Sequence, residues 1–347
     1  MKRLSRTAKT DIFTYSLVTV GFIAAQLTQG AGLMSSSLKG QLVPICAYIV
    51  MAVSLNLTVG ILGELSLGHA GFMSIGAFAG AVAAAVLEPI IPVPEIRLAA
   101  AMIIGAVFAG IAGILIGVPV LRLKGDYLAI VTLAFGEIVL NLINCLYVGV
   151  DSKGLRISML TSAEALRLNP DGRVIINGPV GASGITKLSS FTAGFLLILI
   201  TLFIVQNLVN SRAGRAILAV RDNRISAESV GISVTKHKMI AFVISAVLAG
   251  AAGVLFALNI NTIVPTKFNF NTSILVLVFV VLGGLGNIWG SIIAAAVLTV
   301  LPEALRGFNN YRMLAYAIVL ILVMLLTNSA FIKSTLGRPR LKRGAKT

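Results

Sequence analysis

The chain has 347 residues, 57% of them hydrophobic and only 12% charged, with a mean hydropathy of +0.98. A soluble domain carries about a quarter charged residues, so this composition belongs to a polytopic membrane protein. The net charge of +16 does not describe a nucleic-acid binder, because the basic residues sit between apolar runs and at the termini rather than among aromatics on a soluble face.

A membrane-crossing helix needs about 20 apolar residues to pass a hydrocarbon layer of about 30 Å. The basic start (Lys2, Arg3, Arg6, Lys9) followed by Ile12–Ala25 lacks a small-x-small cleavage site and reads as a retained first span. Spans are then expected at Ile12–Thr28, Leu42–Val59, Ala70–Leu87, Leu98–Leu121 and Tyr127–Tyr147. They continue at Phe191–Val209, Met239–Leu258, Ser273–Leu285, Ile288–Leu305 and Met313–Thr327. The expected fold is all-α, a bundle of about ten transmembrane helices. Five regions follow: an N-terminus and first span (1–30), a first membrane part (31–210) with an external loop at 150–190, a polar segment (211–238), a second membrane part (239–330) and a basic tail (331–347). An even count of spans returns both basic termini, Arg122-Leu-Lys124 and the 211–238 segment to the cytoplasm, where positive charge is retained. The proline-rich stretch from Glu88 to Glu95 falls outside.

Glycine is frequent, 34 residues, and lies inside the spans. Gly76/Gly80, Gly113/Gly117 and Gly286/Gly290 put small residues on one helix face, which lets backbones approach closely; for the first two pairs ordinary packing is the better account. Two Gly-rich stretches, Val59–Gly71 and Val281–Gly290, resemble each other and interrupt spans at matching places in the two halves. That pattern points to a transport path near the bilayer middle, with Glu64, Ser66, His69 and Asn287 as residues on it or at a seam with a partner permease. Between them Glu137, Asn141 and Asn144 recur on one helix face. A carboxylate at that depth must meet water or protein, either as a lining of the path or a partner seam, or as hydrogen-bonding glue between helices.

Cys46 and Cys145 fall in apolar stretches and read as buried small hydrophobes rather than a disulfide or metal pair. His69 and His237 have no ligand-like spacing, and no metal site is expected. The Gly-x-x-x-x-Gly-Lys-Ser/Thr phosphate loop is missing, so the chain is not expected to hold ATP itself. The segment Ser211–Gly231, followed by Lys236 and Lys238, is polar and basic between apolar runs. Asp222 is the expected N-cap and Gly231 the left-handed residue past the end of a helix of about 12 Å, suited to another protein's cleft, although an ordinary basic loop has similar spacing.

Three blocks carry a family resemblance: Gly63-Glu-Leu-Ser-Leu-Gly-His-Ala-Gly-Phe-Met-Ser-Ile-Gly-Ala77, Leu123-Lys-Gly-Asp-Tyr-Leu-Ala-Ile-Val-Thr-Leu-Ala-Phe-Gly-Glu137 and Gly283-Gly-Leu-Gly-Asn-Ile-Trp-Gly-Ser291. Together with Ser211–Gly231 they resemble the M-type permease subunit of branched-chain amino acid ABC importers, from about Leu42 to about Leu305. The chain departs from that pattern at Ile225, where such permeases more usually show glutamate, and in the external loop. The resemblance implies a non-enzymatic transport subunit in the bacterial inner membrane. Its implied partners are a second related permease in a heterodimer, two ATPase subunits that bind the ATP, and an external substrate-binding protein. Arg221, Asp222, Ser226, Ala227, Glu228 and Gly231 would form the ATPase-coupling element. Urea or amides, sugars or nucleosides stand as other cargoes, and an ion-coupled secondary transporter as another mechanism.

Overall fold

The computed structural model describes residues 6–32, 34–123, 125–151, 154–159, 166, 169, 172–305 and 311–328. They form two compact units, Met1–Ala296 and Val297–Thr347.

In the first unit the apolar runs become α1 (Arg6–Gly30), α2 (Ser36–Asn56), α3 (His69–Val86), α4 (Pro94–Val120), α5 (Asp126–Asn144) and α6 (Phe191–Asn210). The polar segment forms α7 (Arg212–Asp222) and α8 (Arg224–Ser229), and α9 (Val234–Ala257), α10 (Phe270–Gly283) and most of α11 (Ile288–Ala304) follow. Eight described helical stretches are long and apolar enough to cross a membrane, and α11 is a shorter apolar helix. Among the described residues eight of the about ten expected spans meet that length and composition, so the count of ten is not reached.

The centre of this unit is α2, α3 and α9, which are mostly buried. Small residues set how closely they pack. A Cβ on Gly76 would lie 2.1 Å from the Gly250 carbonyl oxygen of α9, and one on Gly253 would lie 2.0 Å from the Met73 carbonyl oxygen of α3. Gly113 and Gly117 of α4 meet Ala246 and Met239 of α9 in the same way, so both helix-face pairs act as packing devices. The outer helices show the opposite: α4 leaves Ile103, Val107, Phe108, Ile111, Ile114 and Leu115 exposed. α1 is the least buried, held at Phe22, which stacks on Phe191 and Phe195 of α6.

The fold is mostly helical, as expected, with one addition outside the helices. The stretch between α5 and α6, joined by residues after α9, builds a five-stranded antiparallel sheet in the order β2-β1-β3-β4-β5, from β1 (Tyr147–Asp151), β2 (Gly154–Ser158), β3 (Arg173–Asn177), β4 (Ala182–Ser183) and β5 (Thr262–Ile263). Val148, Val150, Val174, Ile175 and Ile176 supply the β-branched residues that favour strands. Glu88, beyond the end of α3, lies 3.7 Å from both Arg97 of α4 and Arg173 of β3, which ties sheet to helices. Both cysteines are free; Cys46 is buried, but Cys145, placed just past the last turn of α5, is exposed.

The second unit contains the end of α11 and α12 (Arg312–Asn328), an apolar helix with Leu314, Ile318, Ile321, Leu322 and Leu325 exposed. The basic tail of 331–347 lies outside the described residues.

Candidate functional site

The first Gly-rich stretch breaks a span. α2 runs into a six-residue π-helix, Leu57–Leu62, which Gly63 ends at φ +82°, a left-handed conformation that glycine takes without a Cβ penalty. The Gly63 and Glu64 N–H groups both donate to the Thr58 carbonyl, and the chain then runs without helix to His69. This stretch is held from several sides. The Leu67 N–H donates to Thr132 Oγ1 of α5 at 3.0 Å, and a Cβ on Gly68 would lie 1.9 Å from the Thr132 carbonyl oxygen. The Ala70 N–H, one of the free donors at the start of α3, donates to Ser273 Oγ of α10 at 3.1 Å. Buried His69 shares a hydrogen bond of 2.8 Å between Nε2 and Ser54 Oγ, and Ser245 Oγ donates to the Ser54 carbonyl. Ser66 is buried too, and its hydroxyl has no partner among the described residues.

The second stretch lies against the first. α10 ends in a turn with Gly284 at φ +93° and Gly286 at φ +77°, closed by Asn287, whose side-chain amide donates to the Gly283 carbonyl at 3.2 Å. Asn56, at the end of α2, joins the two breaks. Its Nδ2 donates to Ser291 Oγ at 3.0 Å, and its Oδ1 accepts from the Gly286 N–H at 2.8 Å. A Cβ on Gly60 would lie 1.9 Å from Asn56 Oδ1 and 2.2 Å from the Gly286 nitrogen, so this contact requires glycine at position 60. Sequence reasoning passed over Asn56, although a buried polar side chain inside an apolar run was a legible signal.

The polar segment differs from expectation in its capping. Asp222 is the last residue of α7, and Asn223 is the N-cap of α8, accepting from the Ser226 N–H at 3.0 Å. The Asp222 carboxylate instead pairs with Arg221 at 2.9 Å. The expected stop is where it was placed: Gly231 has φ +86°, its N–H donates to the Glu228 carbonyl, and the Ile232 N–H donates to the Ala227 carbonyl. Those two bonds are the pattern of a helix closed by a left-handed glycine. Ala227 is 4% exposed and packs with Val220 and Val234, so it anchors α8 rather than presenting it. Ser226 and Glu228 point outward, and Glu228 pairs with Arg224 at 3.1 Å. The most exposed large apolar side chains are Ile225 and Val230, each at 80%, which the expected coupling set did not include.

This segment reaches the first break. An open cleft of about 290 Å³ is lined by Leu62, Gly63, Glu64 and Gly125 on one side and by Val220–Arg224 and Lys238 on the other. Across it the Arg221 guanidinium donates to the Gly60 carbonyl at 3.2 Å, and buried Lys238 pairs with Glu64. Glu64, expected on the translocation path, thus stands at the polar segment together with Arg221 and Asp222.

On α5, Asn141 donates to the Glu137 carbonyl of its own helix at 2.8 Å, and the Glu137 carboxylate has no partner among the described residues. Glu137 and Asn144 are half-buried and Asn141 is exposed. No hydrogen bond joins this stripe to Ser66, His69 or Asn287 among the described residues. No group of His, Cys, Asp and Glu among them is arranged to hold a metal ion.

Broken, glycine-lined helices inside an apolar bundle define a multi-pass membrane transport protein. Residues 38–327 match the family model described as the permease component of branched-chain amino acid transport systems. The chain is 35% identical over 320 residues to the high-affinity branched-chain amino acid transport system permease protein LivM of Escherichia coli K12, covering 86% of this chain and 70% of that protein. The LivM protein of Salmonella typhimurium LT2 is 34% identical over 331 residues with the same coverage. The ribose import permease protein RbsC of Haemophilus influenzae is 24% identical over 289 residues, 80% of this chain and 81% of that protein. No solved structure matches the chain at a comparable level of significance. The chain belongs to the branched-chain amino acid transport permease family. It is a permease subunit of an ABC importer, a transport component rather than an enzyme.

Proposed function

We propose that this permease forms one half of a heterodimeric membrane domain, that residues 211–238 face the cytoplasm, and that α8 seats in a cleft of one of two ATP-hydrolysing subunits. The ATP binds to those subunits, the chain needs no cofactor of its own, and an external binding protein delivers the amino acid. The observation that carries this reading is α8 itself. Two large apolar side chains, Ile225 in a short helix and Val230 at its C-cap, stand 80% exposed, and the helix is anchored by Ala227. Apolar anchors on a fixed support are what protein interfaces are built around. The basic residues of the segment, Arg212, Arg215, Arg221, Arg224, Lys236 and Lys238, support its cytoplasmic side and with it cytoplasmic termini.

A cysteine replacing exposed Ser226, in a chain whose own Cys46 and Cys145 are changed to serine, tests the orientation. It is expected to resist a membrane-impermeant thiol reagent in intact cells and to react in inverted vesicles. Labelling from outside contradicts both the orientation and the docking. ATP-dependent uptake of leucine, competed by isoleucine and valine but not by ribose, is the expected cargo result; competition by ribose instead favours the sugar reading that the ribose permease relatives support.

The Glu137, Asn141 and Asn144 stripe is assigned to the translocation path or the seam with the second permease, with Ser66, His69 and Asn287 on the breaks themselves. The support is physical. An unpaired carboxylate within a span must meet water or another chain, and within this chain Glu137 meets no partner among the described residues. Glu137→Gln is expected to leave melting within about 0.5 kcal/mol of the parent while lowering uptake. Full uptake by a normally assembled Glu137→Gln importer removes the stripe from the path.

A further inference from the structure

The cleft between the polar segment and the first break has the outline of a small ligand site, but its charges are already committed. Arg221 pairs with Asp222, Arg224 with Glu228, and Lys238 with Glu64. Among the described residues no cation lining it is left to recognise an anion. What those side chains do is join two parts of the chain that lie far apart in sequence.

Two separate ties cross the cleft. The first is Arg221. A helix that stops leaves its last carbonyls without N–H partners, and cations are favoured there by the helix dipole. Gly60 is within the final turn of the π-helix, and its carbonyl accepts from the Arg221 guanidinium at 3.2 Å. The aliphatic stem of Arg221 lies on Gly63, where an added Cβ would sit 2.6 Å from Arg221 Cγ. The second tie is the ion pair of Lys238 with Glu64, whose side chains are only 6% and 14% exposed. A pair so little hydrated is held by its geometry, and removing either member leaves the other charge without compensation.

The ties come from either side of α8. Arg221 closes α7 just before α8, and Lys238 lies in the second turn of α9 just after it. Both land on the break, at Gly60 and Glu64. Gly60 in turn presses on Gly286 of the second break, and Ala70 and His69 continue from the first break into α3. Any displacement of α8 is therefore delivered at two points to the segment where both breaks meet.

We infer that Arg221 and the Glu64–Lys238 pair are positioning residues of the importer, a two-point grip through which the docking segment moves the broken helix and so links ATP hydrolysis to passage of the solute. This rests on the reading that α8 receives an ATP-hydrolysing subunit. It adds which side chains carry the motion inward and where they deliver it.

The test uses the complete importer in proteoliposomes and reads solute taken up per ATP hydrolysed. Arg221→Met keeps the apolar stem over Gly63 and removes the guanidinium, leaving the exposed Asp222 carboxylate to water. Lys238→Met strips the pair, and the exchange Glu64→Lys with Lys238→Glu rebuilds it with the charges reversed. Uptake per ATP is expected to fall about tenfold or more in Arg221→Met and Lys238→Met, and to return to within about twofold in the exchanged pair. A side chain that only stabilises the fold would lower uptake and hydrolysis together in proportion to assembled complex, and that result overturns the inference. So does an unchanged ratio in Arg221→Met, which decides the matter should Lys238→Met fail to assemble. The parent importer is the control for the underlying reading: absence of ATP-dependent uptake there counts against ATPase docking and not against the grip.

Discussion

The break after Leu62 and the break after Gly283 share their glycines, yet their surroundings differ. From Gly60 to Gly68 the chain is held by other elements: Arg221 at the end of α7, Lys238 of α9 and Thr132 of α5, while Ser273 of α10 takes the Ala70 N–H at the start of α3. From Gly284 to Asn287 the chain closes on itself through the Asn287 amide and the Gly283 carbonyl, and its tie to the first break runs through Asn56. A segment held from outside follows whatever holds it, whereas a segment closed on itself moves with its neighbour. The first break is thus the receiver and the second the follower.

That difference has consequences at two glycines facing each other. Gly60→Val places carbon where Asn56 Oδ1 and the Gly286 backbone already stand, at 1.9 and 2.2 Å from the first added atom. The Gly286 nitrogen is backbone, and the Asn56 side chain is held by its bonds to Gly286 and Ser291, so the cost is expected to exceed the ~1–3 kcal/mol of ordinary overpacking. Thermal unfolding in detergent should show it as a large drop in midpoint or a loss of folded protein, and an unchanged midpoint would mean the two breaks are not pressed together. Gly286→Ala is expected to cost less, about 1–2 kcal/mol, because it meets only the Gly60 carbonyl at 3.3 Å and suffers mainly from its left-handed φ of +77°. A loss as large as that of Gly60→Val would erase the distinction between receiver and follower.

Much of the first unit was legible in the sequence, and what escaped shares one cause. Apolar runs located the membrane helices, and Gly231 marked the end of α8 because a left-handed residue is a local requirement. Asn223 took the cap in place of Asp222 because burying Ile217 and Val220 carried α7 on to residue 222, and nothing within the short run 222–231 reveals that. The sheet was missed although Val148, Val150, Val174 and Ile176 carry strand propensity, since its last strand, Thr262–Ile263, is contributed from beyond α9. Lys238 looked like part of a solvated charge run, but its partner Glu64 is 174 residues away. Asn56 has partners 230 and 235 residues away. Side chains whose role is fixed by distant partners leave little local trace, and the residues joining the two breaks are of that kind.

The central claim is that an ATP-hydrolysing subunit drives this permease through α8, and the most direct measurement is its capture. The chain, co-expressed with the ATP-hydrolysing subunits of its transport system and purified in detergent, should bring ATPase activity with it. Replacing the two most exposed apolar side chains, Ile225→Asp with Val230→Asp, should leave insertion and melting intact, because neither side chain is buried. It should lower affinity for those subunits by about a hundredfold, the scale of losing two apolar anchors. Undiminished capture by that double variant, with the helix still folded, would contradict the account.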